Sequence, residues 1–176
     1  MRQETPSAAL TLFDIEGNGF LEEITKCWLI VSLELQQNHT STPRAEKSSE
    51  DLEVFPPDLL QEGIQHLQNS QVLVGHNVID YDLPALWKVH GKWDHVPLIL
   101  DTLIISRYLW PERPWGHSLE GWGEHLGNKK GEFSAFDEYS EEMLEYCKQD
   151  VIVNYHVFKA LEKEYGQQFM TGFKVY

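Results

Sequence analysis

Positive charge is scarce in this chain. Fourteen lysines and arginines stand against 28 aspartates and glutamates, a net charge of −14. That balance excludes a protein that coats duplex nucleic acid through a basic surface. It leaves room for a local contact in which metal ions bring the positive charge. Cysteine is scarce too. The two present, Cys27 and Cys147, lie in apolar stretches without metal-type spacing. A disulfide framework is therefore excluded, and both thiols are expected reduced in a cytoplasmic setting. No run of about 18 uncharged apolar residues exists, so no membrane span and no membrane partner are expected. The opening MRQETPSAAL has no long apolar segment and does not read as a signal peptide. What remains is 176 residues, enough for one domain with a substantial core, and 41% hydrophobic residues, ordinary for a folded chain.

In TLFDIEGNGF, residues 11–20, an apolar run leads into two acids one residue apart and then a flexible Gly17-Asn18-Gly19. Side chains at i and i+2 of a strand share a face, which puts Asp14 and Glu16 side by side with Ile15 opposite. Two carboxylates that close repel, and one takes up a proton unless a cation lies between them. The pair is either solvated at a strand end or part of an oxygen-ligand metal site.

The rest of the chain supplies the frame. Residues 1–8 read as a loose leader, and 9–176 as one domain. Strands are expected at about 9–16 and 26–36, followed by a polar loop over 38–51 and a short strand from Leu52 to Phe55. Pro57 and Asp58 open a helix in which Leu59, Leu60, Ile64 and Leu67 keep helical spacing to about Asn69, with Gly63 inside it. QVLVG, 71–75, is typical of a strand buried on both faces. A helix over about 83–90, a strand at Leu98–Leu100, a helix over 102–109, a rigid aromatic loop over 110–116 and helices over about 117–126 and 140–164 complete the pattern. Strands first, then strand and helix in alternation, predict an α/β sandwich with a mixed sheet.

Two further segments carry acids. In VGHNVIDYDLPAL, Asp82 precedes Pro84 and suits a helix N-cap, with Asp80 as the competing acid. His76 there, taken alone, reads as a hydrogen-bonded core or loop histidine more readily than as a ligand. In EEMLEYCKQDVIVNYHVF, Met143, Leu144, Cys147, Val151, Ile152 and Tyr155 form a core stripe, and Tyr146 and Asp150, four apart, share one helix face.

Together these segments resemble the tyrosine subtype of the DEDD (DnaQ-like) 3′–5′ exonucleases, which have a ribonuclease-H-like, three-layer α/β fold with a mixed central sheet flanked by helices. FDIE, HNxxxxD and YxxxD stand in that order, and Tyr146 rather than a histidine at 145 indicates the subtype. DIEGNGFLEEITK, GHNVIDYDLPALWK, LDTLIISRYL, GHSLEGWGEHLGNKKGE and SEEMLEYCKQDVIV resemble more particularly the proofreading domain of the family A DNA polymerases of short-tailed bacteriophages, over about residues 11–158. Those polymerases continue into a large second domain. Either a free-standing exonuclease or a piece of a polymerase is therefore expected, and the host bacterial cytoplasm as its location.

The resemblance implies two divalent ions, Mg²⁺ or Mn²⁺, about 4 Å apart and held by Asp14, Glu16, Asp82 and Asp150. Asp14 would bridge them, and Glu16 and Asp150 would complete the tighter site. Asp82 would hold the second ion largely through water. Tyr146 would orient the attacking water rather than act as a base, since a free tyrosine has a pKa near 10. The implied substrate is a single-stranded DNA 3′ end, released as nucleoside 5′-monophosphates, with a DNA polymerase or other replication protein as partner. Phe20, Leu21 and Trp115 are candidates to stack on or wedge the terminal base. His76 and Asn77 would brace the turn or approach a phosphate. Asp101 is either a supporting acid behind the metal site or a helix N-cap. Lys129 and Lys130 either contact the phosphate backbone or lie in a solvated loop. An exoribonuclease acting on short RNA, and a catalytically silent docking module, are the competing readings.

Overall fold

The computed structural model describes residues 9–36, 47–128 and 133–165. The leader at 1–8, Lys129, Lys130 and most of the polar loop over 38–51 lie outside the described residues. Five strands form one mixed sheet: β1 (Ala9–Gly17), β2 (Cys27–Gln36), β3 (Glu53–Phe55), β4 (Val72–Gly75) and β5 (Leu98–Asp101), in the order β3-β2-β1-β4-β5. β1 pairs antiparallel with β2, and β2 with β3, whereas β4 runs parallel to both β1 and β5. Five α-helices accompany it: α1 (Leu60–Asn69), α2 (Asp82–His90), α3 (Thr102–Leu109), α4 (Leu119–Leu126) and α5 (Glu141–Tyr165).

Strand alternation divides the core in two. Leu10 and Leu12 of β1 point into a cluster with Trp122 of α4 and with Met143, Cys147, Val151 and Phe158 of α5. Phe13 and Ile15 point the other way, against Ile64 and Leu67 of α1 and Leu83 and Leu86 of α2. By the same parity Asp14 and Glu16 fall on the α5 side of the sheet. β4 is buried on both faces, as its unbroken apolar run predicts. The helix expected from Pro57 begins at Leu60, because residues 57–59 form a turn. Gly63 has a packing reason: a Cβ there would meet Phe55 Cβ at 2.8 Å, so α1 closes onto β3 only through a glycine.

The three mutually parallel strands end on one side of the sheet. β1 and β4 pair only as far as Leu12 and Val74, so the last residues of β1 run past the end of β4. In open α/β sheets, ligands bind at these carboxyl ends.

Candidate metal and nuclease site

Three elements bring acids to those ends. Asp14 and Glu16 close β1, and Asp150 comes from the middle of α5. Asp82 opens α2, although α2 was expected at 83 with Asp82 as its cap. Tyr81 takes the N-cap position instead, without a side-chain capping bond. Asp82 Oδ1 accepts the backbone N–H of Ile15 at 3.3 Å, beyond the point where β4 has ended. That N–H stands between the two acids of β1, so α2 is tied to the acid pair. Asp80 is exposed in the turn.

The donor atoms of Asp14, Glu16 and Cys147 all lie within 4.8 Å of one another. The Cys147 thiol points at Asp14 Oδ2, at 3.5 Å. Its pKa is pushed well up by burial, then by the charges of Asp14, Glu16 and Asp150. Cys147 is a core residue, as its stripe predicts. The same helix face carries Asp150 three residues on, a spacing that marks Cys147 as a neighbour of the acids.

Glu16, Asp82 and Asp150 are all at least nine-tenths buried, at 8%, 4% and 4% exposure. Burial, first, and the negative charges of Asp101 and Asp150 push the Asp82 carboxyl up from 3.8 to about 7, against the lowering effect of its hydrogen bonds to its own backbone and to Ile15. A crowded, buried set of hard oxygen donors suits a divalent cation, which would restore the ionised form. Protonated Asp82 stabilises the metal-free fold fully below the ordinary carboxylate range. That contribution is lost as pH rises through about 7. The metal-free melting temperature is thus expected to carry a downward slope between pH 4 and 7 that Asp82→Asn removes. Mg²⁺ affinity should rise with pH over the same window, and thermal melts with and without Mg²⁺ check both.

The supporting residues are equally placed. Asp101 resolves into an N-cap that is also a clamp. It accepts from Leu103 N (3.0 Å) and Ile104 N (3.4 Å) of α3, and from Asn77 N (3.0 Å) and Ile79 N (3.1 Å) of the turn before Asp82. Asn77 has φ +68°, a left-handed conformation that asparagine tolerates. Gly75 lets Val78 fold back on it, since a Cβ would lie 2.7 Å from Val78 Cβ. His76 Nδ1 lies 2.9 Å from Thr102 Oγ1, whose hydroxyl donates to Asn154 Oδ1 at 2.7 Å. Asn154 is buried on α5, one turn after Asp150. His76 thereby ties the end of β4 to the helix that carries Asp150.

Tyr146 is half-buried, its ring 5.7 Å from Phe133 and 6.2 Å from Phe136. Phe20 is 78% exposed, whereas Leu21 packs against the α1–α2 core. Trp115 is not the open platform expected. Its ring stacks on His125 at 3.3 Å between centroids, and Arg113 sits 5.3 Å from it. Thr102, Asn154, Tyr81 and Lys88 carry no local signature that separates them from ordinary polar residues.

The fold recurs in solved nucleases. The Trypanosoma brucei RRP6 catalytic core aligns over 89% of this chain and 41% of its own, with TM-score 0.62 and 16% identity. Escherichia coli Exonuclease I in complex with an oligonucleotide aligns over 94% and 43%, with TM-score 0.59 and 13% identity. Brucella melitensis NrnC with bound Mg²⁺ aligns over 89% and 73%, with TM-score 0.55 and 16% identity. The fold these structures share with the chain is the ribonuclease-H-like α/β fold. In sequence the chain is similar to the DNA-directed DNA polymerases of Enterobacteria phage T3, 29% identical over 183 residues, and Escherichia phage T7, 28% over 181. In each case 80% of this chain matches 25% of the polymerase, so it spans about a quarter of those relatives' length. No family model matches the chain. Among the described residues, no helix is long and apolar enough to cross a membrane.

Proposed function

We propose that this protein is a metal-dependent 3′–5′ exonuclease that hydrolyses single-stranded DNA ends to nucleoside 5′-monophosphates, in the proofreading manner of the phage polymerases it resembles. The observation that carries this reading is the bond from Ile15 N–H to Asp82, which draws acids from two distant segments to one place beneath α5. When bound, two divalent cations supply activation of the attacking water and stabilisation of the leaving 3′ oxygen. Asp14, Glu16, Asp82 and Asp150 would hold them. Tyr146, one turn before Asp150 on α5, would orient the water through its hydroxyl. The turn 76–82, held by Asp101 and His76, keeps Asp82 in register with β1, and Asn77 on that turn would approach the incoming backbone. The acidic chain then needs no basic surface, because the cations meet the phosphate.

The test is a labelled single-stranded oligonucleotide in Mg²⁺ or Mn²⁺, with DNA and RNA of one sequence run side by side. Shortening from the 3′ end that EDTA stops, faster on DNA, is expected. Binding without cleavage in either metal would leave a docking module instead, and faster loss of RNA would make it an exoribonuclease. Tyr146→Phe should slow cleavage about ten- to a hundredfold, well short of the loss from removing a metal ligand.

A further inference from the structure

The cysteine among the acids has no part in the proposed reaction. Cys147 stands between Met143 and Val151 on one stripe of α5 and is fully buried in the cluster that holds Leu10 and Leu12 of β1. A small apolar residue would fill that place. The thiol does more than fill it, because β1 brings Asp14 and Glu16 to the same side of the sheet just beyond Leu12. Cys147 Sγ donates to Asp14 Oδ2 at 3.5 Å. The donor atoms of Asp14, Glu16 and Cys147 stand within 4.8 Å of one another. Glu16 and Cys147 are buried, and Asp14, which is only half-buried, gives the group its open side.

Those separations are close to what a tetrahedral ion needs. Zinc takes sulfur at about 2.3 Å and carboxylate oxygen at about 2.0–2.2 Å, which sets the sulfur-to-oxygen edge of its tetrahedron at about 3.5–3.7 Å. The thiol and Asp14 already stand at that edge, and the thiol proton holds the place a cation would take. A small rotation of a carboxylate brings in the third donor, and water supplies the fourth ligand. A hard ion makes no use of the sulfur: Mg²⁺ takes oxygen ligands and leaves a neutral thiol alone. Thiolate favours zinc and softer ions.

We propose that Cys147, with Asp14 and Glu16, forms a mixed sulfur–oxygen site for a thiophilic divalent cation such as Zn²⁺, which competes with Mg²⁺ for the two carboxylates. The competition rests on the exonuclease reading, in which those carboxylates hold the hard ions. Cys147 adds a ligand that an oxygen-only site lacks. On binding, the Sγ–H bond breaks, the sulfur gives an electron pair to the cation and the proton leaves to solvent. No oxidant or reductant takes part.

The experiment titrates the metal-free protein with Cd²⁺, whose thiolate complexes absorb in the ultraviolet by charge transfer, and with Zn²⁺ and Mg²⁺ by calorimetry. Wild type is expected to develop the band with about one equivalent of Cd²⁺, and a large excess of Mg²⁺ to weaken it. Cys147→Ser and Cys147→Ala should abolish the band and weaken Zn²⁺ about a hundredfold or more, while Mg²⁺ affinity changes less than about threefold. Cys27→Ala, which removes the other thiol, should leave the band intact. A wild type without the band, a band that follows Cys27, a band indifferent to Mg²⁺, or equal losses of Zn²⁺ and Mg²⁺ in Cys147→Ser would overturn the proposal and leave the thiol a core residue. Should both Cys147 variants fail to fold, Asp14→Asn decides: a band lost there sustains the site, and a band undiminished refutes it. An oligonucleotide assay keeps the two readings apart. Shortening in Mg²⁺ without the band leaves the exonuclease standing and the thiol site fallen, and the band without shortening does the reverse.

Discussion

Asp14→Asn is expected to abolish cleavage and, in the absence of metal, to make the protein more stable. Asp14 raises both the Cys147 thiol and the Tyr81 hydroxyl through its charge, so it stands in a crowd of negative groups beneath α5. Asparagine keeps an oxygen to receive the Cys147 thiol and removes the charge. A gain of about 1 kcal/mol would raise the metal-free melting temperature by about 2–4 °C in a chain of this size. Activity should fall about a thousandfold or more, since a lost cation takes several kcal/mol of transition-state stabilisation with it. Added Mg²⁺ should also cease to stabilise. Wild type saturated a hundredfold over its dissociation constant gains about 2.7 kcal/mol, and the variant should gain little. Melting curves with and without Mg²⁺, beside an oligonucleotide assay, check all three. A variant that is inactive and also less stable would mean that Asp14 serves the fold rather than a cation.

Asp101→Ala should have the largest effect on stability. One carboxylate receives four backbone N–H groups, two from the turn at Asn77 and Ile79 and two from the start of α3. It is 4% exposed, so water cannot readily take its place. Hydrogen bonds to a charged group are worth about 1.5–3 kcal/mol each, and a lost N-cap about 1. Because the four bonds share one side chain and partly relax together, a loss of about 3–5 kcal/mol is expected in denaturant unfolding. Asp101→Asn retains one acceptor oxygen and should lose markedly less. It also removes a charge that raises Asp82, so the pH midpoint for Mg²⁺ binding should move down. An unchanged midpoint would mean that burial alone sets Asp82.

The elements that sequence foretold best were those whose pattern is local. The apolar run of β4, the alternation in β1 and the stripe of α5 each fix an element and its buried side without reference to the rest of the chain. Asp82 shows where local reading fails. Its place before Pro84 marks an N-cap, but a bond to Ile15, 67 residues earlier, takes its side chain elsewhere. Cys147 belongs to the core stripe as expected, yet that part of the stripe also lies against the acids of β1, which only the packing of α5 on β1 reveals. Trp115 reads as a free aromatic in a loop because nothing nearby in sequence announces His125 and Arg113 as its partners. The clamp at Asp101 was legible only as a choice between two roles. It caps α3 and also holds the turn before Asp82, because the start of α3 and the turn after β4 meet at neighbouring strand ends.

The buried Arg113 has a bearing on the acids despite its distance from them. Its guanidinium lies 4.3 Å from the Trp122 ring and 4.9 Å from Trp110, and pairs with both Glu164 oxygens at 3.2 Å. Glu164 is in the last turn of α5, and the Ser140 hydroxyl accepts from Met143 at the first. The helix is thus pinned at both extremities, with Asp150 between them. A slip of one residue along its axis would swing Asp150 by about 100° and carry it away from the other acids. Glu164 lies about 21 Å from Asp150 along that axis, yet it helps to set the angle at which Asp150 points.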